Sequence, residues 1–331
     1  MGLQIKTWIV DKVWYGHHPV RWLLWPFANI YRVLIYVRRH YLQYRQRPSA
    51  VPIIVVGNLT VGGAGKTPLV IALVKYLQAE GHRVGVVSRG YGSSADAFPL
   101  EVSAHTLVAL AGDEPLLIAR KTGSPVVIAP HRVDAVAYLL KQHAIDVVIS
   151  DDGLQHYAMG RSIEIAVIDG LRGLGNGLCL PAGPLRESSK RLHEVDLLVV
   201  NGPGEPLGQD VQVYRMDMVP GDIKSLLSDT ISPSSALIQP VAAVAGIGHP
   251  GRFFTTLKAL GLSFRAYVFP DHHPFQIKDF AVSEKTVVMT EKDAVKCESF
   301  ATDAMYYLPV EATIEDSFWE VFGALLKKYL R

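Results

Sequence analysis

The stretch from Ile53 to Glu80 constrains the fold more than any other part of the chain. It opens with an apolar run, Ile53–Val56, turns through Gly57-Asn58-Leu59-Thr60-Val61-Gly62-Gly63-Ala64-Gly65-Lys66-Thr67, and continues as a helical pattern over Thr67–Glu80. A strand that passes through glycines into a helix leaves backbone N–H groups free to ring an anion, and the helix dipole favours negative charge there. A lysine after the last glycine can reach the β- and γ-phosphates of a nucleotide, and the next hydroxyl can take Mg²⁺. Gly62, Gly63, Ala64, Gly65, Lys66 and Thr67 are therefore the candidate phosphate-binding residues, with ATP and Mg²⁺ as the expected ligands. Where the usual pattern has its first glycine, this chain has Thr60. A glycine-rich turn without a ligand is the competing reading, and the order strand, Gly-Gly-x-Gly-Lys-Thr, helix weighs against it.

A phosphate loop of this kind sits in a sheet, and the rest of the chain supplies one. Further apolar runs at Val84–Ser88, Val126–Ala129, Val147–Ser150, Ile165–Asp169 and Leu197–Asn201 alternate with helical patterns such as Arg132–His143. Continuous Val/Ile/Leu runs mark strands covered on both faces, and strand–helix alternation predicts an α/β fold with a doubly wound, mostly parallel sheet. Near residue 205 the text changes to Gly, Pro and Ser clusters. A second set of strands follows at Val241–Ala245, Phe264–Val268, Val287–Thr290 and Met305–Leu308, before a helix over Ser317–Leu330. We divide the chain into an N-terminal helical segment (1–48), a P-loop core (49–205), a linker with connecting strands (206–240) and a smaller α/β domain (241–331). With 49% hydrophobic and 19% charged residues the chain can bury a large core, which excludes a disordered protein. Cys179 and Cys297 lie far apart in no metal-type spacing, which points to a reducing compartment rather than a disulfide framework.

The net charge of +2 hides an asymmetry: residues 1–48 hold eight Lys and Arg (Lys6, Lys12, Arg21, Arg32, Arg38, Arg39, Arg45, Arg47) against Asp11 alone. Between Trp22 and Val37 the chain is rich in Trp, Leu, Ile and Tyr, but its longest charge-free stretch is the ten residues Trp22–Tyr31. A spanning helix needs about 20 apolar residues, and no small-residue cleavage site follows. We expect an amphipathic helix lying in a membrane interface, starting or kinking at Pro26, with aromatics at headgroup depth and arginines on lipid phosphates. Packing on the protein's own core is the other reading. Nothing else supplies a basic stripe with stacking aromatics, so no nucleic-acid partner is expected.

The metal of a P-loop needs carboxylates at the end of a nearby apolar strand, and Val147–Ser150 runs straight into Asp151 and Asp152. Two adjacent carboxylates, Asp113 and Glu114, stand at a helix start, where they could serve as caps or act on an acceptor hydroxyl. Asp271-His272-His273 follows a strand of the smaller domain, and without metal-type partners it suits acid–base work. Two classes fit: a small-molecule kinase, or a membrane-surface ATPase of the dimerising, partition-type switch class. The latter carries a lysine just before the double glycine, and here that residue is Val61.

Taken together the segments resemble the tetraacyldisaccharide 4′-kinase (lipid A 4′-kinase) family of Gram-negative bacteria, over nearly the whole chain. The carriers are the Val56–Pro68 loop, Ser88-Arg89-Gly90-Tyr91-Gly92, Gly112-Asp113-Glu114-Pro115, Asp151-Asp152-Gly153-Leu154-Gln155-His156, Pro181–Glu187, Asp271-His272-His273 and Thr290–Lys296. The loop of that family is also atypical at Thr60. The resemblance implies transfer of the ATP γ-phosphate to the 4′-hydroxyl of a tetraacylated glucosamine disaccharide 1-phosphate, giving lipid IV-A. It implies work at the cytoplasmic face of the inner membrane, and we expect a monomer. Carried over, Asp113 activates the hydroxyl with His272 as its partner, His273 being the second choice. Thr67, Asp151, Asp152 and Glu114 surround the metal, Gln155 lies by the phosphates, and Arg186 and Glu187 lie near nucleotide or substrate.

Overall fold

The computed structural model describes residues 9–16, 18–204 and 212–330. Lys6 and the start of the expected linker, residues 206–211, lie outside them. Helix α1 covers Val20–Tyr44. The core then runs β1 (Ile53–Gly57), α2 (Lys66–Ala79), β2 (Val84–Ser88), β3 (Leu100–Val102), α3 (Asp113–Thr122), β4 (Val126–Ile128), α4 (Arg132–Gln142), β5 (Val147–Ser150), β6 (Ile163–Asp169), β7 (Leu197–Asn201) and β8 (Val213–Pro220). After β9 (Lys224–Ser225) come β10 (Val241–Ala245), α5 (Pro250–Ala259), β11 (Phe264–Val268), β12 (Val287–Thr290), β13 (Met305–Leu308), β14 (Val310–Ile314) and α6 (Asp316–Leu326).

Among the described residues, nine strands form the large sheet in the order β14-β8-β7-β6-β1-β5-β2-β4-β3. Every pairing from β8 across to β4 is parallel, and the two edge pairings, β14–β8 and β3–β4, are antiparallel. The β1, β2, β5 and β7 residues are all buried, as strands covered on both faces must be. Strand β1 lies between β5 and β6, where the strand order reverses, so the loop after it opens into the crevice at the carboxyl ends of the strands. The smaller sheet has the order β11-β10-β12-β13-β9, parallel except for β9.

Two expectations need correction. The boundary at 241 does not separate the sheets: β14 returns to pair with β8, and α6 buries Phe318, Phe322 and Leu326 against the large-sheet core. Those residues are spaced i, i+4, i+8, one helical face, and Trp319 stacks on Tyr76 of α2 with ring centroids 4.4 Å apart. Strand β8, expected within a linker, is likewise part of the large sheet. It was hidden because it alternates buried and exposed residues and carries Arg215 and Asp217, whereas a covered strand reads as one apolar run. Helix α1 also begins six residues before Pro26 and runs through it. A proline inside a helix removes one hydrogen bond, and a 25-residue helix retains the rest of its ladder.

Helix α1 is held to the core by one face. Ala28 is buried, the Tyr31 hydroxyl donates to the Arg186 carbonyl at 3.1 Å, and Arg39 pairs with Glu194. Its other side exposes Trp22, Leu23, Phe27, Ile30, Val33, Leu34 and Val37, each more than half accessible. Among the described residues no helix is long and apolar enough to cross a membrane.

Candidate active site

The phosphate loop leaves β1 and enters α2 through Gly62 and Gly65, whose φ angles of 114° and 90° lie in the left-handed region. At Gly65 a side chain would also collide with the Asn201 amide, which donates to the Ala64 carbonyl at 3.0 Å. Both demands leave room only for glycine. Asn58 spans the loop: its amide donates to the Gly62 carbonyl at 3.1 Å, and its Oδ1 accepts from Lys66 Nζ at 3.2 Å. Lys66 also lies 3.5 Å from Asp152. The loop is thus shaped by its own sequence, with the lysine already directed toward the strand-end carboxylates.

Asp151 and Asp152 follow β5 and differ sharply in environment. Asp152, at φ 47°, takes Arg186 Nη1 at 3.0 and 3.1 Å; burial would raise its pKa, but Lys66 and Arg186 outweigh that and hold it well below the usual carboxylate range. Asp151 is 1% exposed. Burial, reinforced by the nearby Glu114 and opposed by Lys66, pushes it up to about 7. Ser88 Oγ reaches its Oδ2 at 3.4 Å, while its Oδ1 has no hydrogen-bond partner. Gln155 joins the same group, accepting from Arg186 at 3.4 Å and donating to the Asn58 carbonyl at 3.4 Å.

An unpartnered buried carboxylate oxygen with Asp152 and Glu114 in its electrostatic surroundings suits a hard cation with oxygen ligands. No group of three or more His, Cys, Asp or Glu among the described residues forms a ready-made metal cage. Mg²⁺ commonly takes one or two carboxylates and completes its shell with water and phosphate oxygens.

The second half of the site forms where the two sheets meet, with Asp113 from the larger domain and His272 from the smaller. Asp113 begins α3 after Gly112, a residue at φ 81° whose added side chain would strike the Tyr91 carbonyl. Its carboxylate is 5% exposed. His272 Nδ1 lies 3.0 Å from both oxygens of Asp113 across 159 residues of sequence. Burial opposes the charge on Asp113, yet the hydrogen bond from His272 and the cations of Lys292 and Lys296 hold it at about 2. Burial also works against the imidazolium, but Asp113 raises the His272 pKa above its ordinary value. Each partner thus favours the charged form of the other. His272 sits at φ 59°, an uncommon conformation for a residue with a Cβ, and Tyr91 lies over its ring at 4.9 Å.

The neighbouring ring goes elsewhere: His273 Nε2 meets Asp279 at 3.0 Å. Glu187 is held in a cluster of its own. It is buried with Oε2 accepting from the Tyr157 hydroxyl, beside Arg191. Arg186 lies on Asp152, the carboxylate that also faces Lys66. Asn58, Tyr91, Lys292 and Lys296 were not singled out individually, although each stands in a segment that carried the resemblance. Asn58 and Lys296 lie close in sequence to a residue they contact, Lys66 and Asp293, whereas the partners of Lys292 are 20 or more residues away.

The two halves meet directly. A side chain at Gly248, in the loop before α5, would come within 2.9 Å of the Gly63 nitrogen. Arg252 Nη2 reaches Asp169 at 2.7 Å and the Asn201 carbonyl at 2.8 Å. A glycine loop at a sheet's switch point, strand-end carboxylates and an aspartate–histidine pair beside them define a P-loop nucleotide-binding protein equipped for phosphoryl transfer.

The chain belongs to the tetraacyldisaccharide-1-P 4′-kinase family, whose model matches residues 20–327. It is 53% identical to a tetraacyldisaccharide 4′-kinase of Legionella pneumophila (strain Lens), over 96% of this chain and 97% of the relative. It is 47% identical to one of Aeromonas hydrophila, over 93% of each. Among solved structures it resembles an LpxK from Aquifex aeolicus in complex with ATP, with a TM-score of 0.76 and 27% identity, covering 94% of this chain and all of that one.

Proposed function

We propose that the chain transfers the γ-phosphate of ATP to the 4′-hydroxyl of a tetraacylated glucosamine disaccharide 1-phosphate, giving lipid IV-A, at the cytoplasmic face of a bacterial inner membrane. The observation that carries the chemistry is the contact of His272 with Asp113, which assembles an acceptor-side pair next to the phosphate loop. In this reading the loop amides from Gly62 to Thr67 hold the nucleotide phosphates and Lys66 draws charge from the γ-phosphoryl group. Thr67, Asp151, Asp152 and Glu114 would hold Mg²⁺, which shields the charge of the phosphate oxygens. Asp113 accepts the proton of the attacking hydroxyl. Phosphoryl transfer passes through a loose transition state with little bond formation to the nucleophile. The proton then leaves late, so a carboxylate of low basicity is sufficient, and His272 keeps it charged and aimed.

The exposed apolar side of α1 supports seating on a bilayer, where the lipid acceptor resides; its arginines suit lipid phosphates. The test is incubation with γ-labelled Mg-ATP and a 4′-dephosphorylated lipid A precursor in mixed vesicles. Label in the lipid is expected. An unlabelled lipid from a protein that still binds ATP removes the kinase assignment.

A further inference from the structure

The segment Thr290–Lys296 is prominent in the sequence, and the reaction as described leaves it without a role. In the structure it is a single helical turn, Glu291–Ala294, at the end of β12. Thr290 and Asp293 brace it reciprocally: the Thr290 side chain accepts from the Asp293 amide at 3.2 Å and donates to Asp293 Oδ2 at 2.7 Å. The same Asp293 oxygen accepts from the Gly246 amide at 2.8 Å, which fixes the turn to β10. Such bracing makes the turn a rigid mount for whatever it displays.

It displays two lysines. Lys292 Nζ lies 2.8 Å from Glu114, 3.3 Å from Asp271, 3.5 Å from His272 Nε2 and 3.9 Å from Asp113. One ammonium thus joins two residues that start α3 in the large domain to two on the His272 loop of the smaller one. Lys296 lies farther back, 3.8 Å from Asp113 but 2.6 Å from Asp293, its main partner. Lys292 has three rotatable donors on a stem packed by its neighbours, and an ammonium suits a site where several carboxylates converge from different directions. Removing it would leave Asp113, Glu114 and Asp271 facing one another with too little positive charge, and the His272 loop would lose a tie to α3.

Resting on the kinase reading above, we propose that Lys292 is a positioning residue of the transfer step, holding Asp113 and His272 in register across the two domains. It acts through that pair and not on the nucleotide. Lys292→Ala in the full-length protein, assayed with Mg-ATP and the lipid acceptor in mixed vesicles, should lower kcat by about 10²-fold, as a displacement near 1 Å at a reacting centre does. The KM for ATP should stay within about threefold of wild type, because the phosphate loop lies on the other half. Propylammonium should restore part of kcat to Lys292→Ala but add nothing to Asp113→Asn. Lys292→Arg, which keeps the charge, should retain more activity than Lys292→Ala. Should the alanine variant not fold, Lys292→Met keeps the aliphatic stem and carries the same comparison. The proposal is overturned by a kcat within about threefold of wild type. It is equally overturned by a loss that appears in KM alone, or by one that neither propylammonium nor arginine relieves. A wild-type protein that does not phosphorylate the lipid would remove the kinase reading itself, and that outcome is distinct from an active Lys292→Ala.

Discussion

The phosphate side and the acceptor side of the site are built in opposite ways. The phosphate side belongs to one sheet: β1, its loop, α2 and the end of β5 lie within the first half of the chain, and Asn58, eight residues before Lys66, already sets the lysine. The acceptor side comes into being only where two sheets meet, with Asp113 on α3 and His272 159 residues later. Their electrostatics differ in the same sense. Asp151 is buried with an unpartnered oxygen and driven up to about 7, whereas Asp113, also buried, is surrounded by cations and held at about 2. One carboxylate is short of positive charge and the other is saturated with it. Under the kinase reading the difference separates two requirements: nucleotide binding would call on the loop alone, and transfer on the domains in contact.

The hardest test of this contrast is a pair of substitutions. Asp113→Asn should lower kcat for lipid phosphorylation by about 10²- to 10⁴-fold while ATP affinity is preserved. Lys66→Ala should weaken nucleotide binding as well as turnover, by about 10²- to 10³-fold in kcat. Equal losses of ATP affinity in the two variants, by calorimetry, would break the division into halves.

A smaller effect should appear in pH dependence. The folded pKa of Asp151 is raised, so its carboxylate is increasingly protonated as pH falls through about 7. A metal competes with that proton, and apparent Mg²⁺ affinity should drop by up to about tenfold per pH unit below that point. Asp151→Asn should bind Mg²⁺ weakly with that slope removed; an unchanged slope, followed by metal titration at fixed nucleotide, would place the titrating group elsewhere. Asp113 should contribute nothing in this range, since its folded pKa lies far lower.

The smallest effect belongs to the rim. Arg120, at the end of α3, meets Glu298 of the smaller domain at 2.8 Å, with both side chains partly exposed. Such pairs contribute about 0.2–1 kcal/mol. Arg120→Ala and Glu298→Ala should each shift stability by no more than that, and a double-mutant cycle in denaturant measures their coupling. A large coupling would mean that closure is governed at the rim and not by the buried cluster around Asp113.

Much of the fold was legible because its signals are local. A strand buried on both faces has to be apolar throughout, so Val84–Ser88, Val147–Ser150, Leu197–Asn201 and Val241–Ala245 appear with the bounds read from the sequence. The edge strands β3 and β14, and β8 beside the second of them, escaped, because a half-exposed strand tolerates Glu101, Asp217 or Glu311 at alternate positions. The site divides along the same line. Lys66, Thr67, Asp151 and Asp152 stand where strand ends require them, but the course of Glu187 into the Tyr157–Arg191 cluster has no counterpart in its local text.

By itself, then, the sequence determined a phosphate loop on a doubly wound sheet, a helix with an apolar face and a short set of titratable residues. Backbone geometry at Gly65 and burial along each strand depend on neighbouring residues, and neighbours are what a sequence displays. Tertiary structure decided which of two adjacent histidines meets Asp113, that Lys292 closes the cluster, and that the last strand and helix return to the first sheet. His272 and His273 are chemically identical, so composition could not separate them. A left-handed φ of 59° at His272 and the packing of two sheets gave them different partners, Asp113 for one and Asp279 for the other.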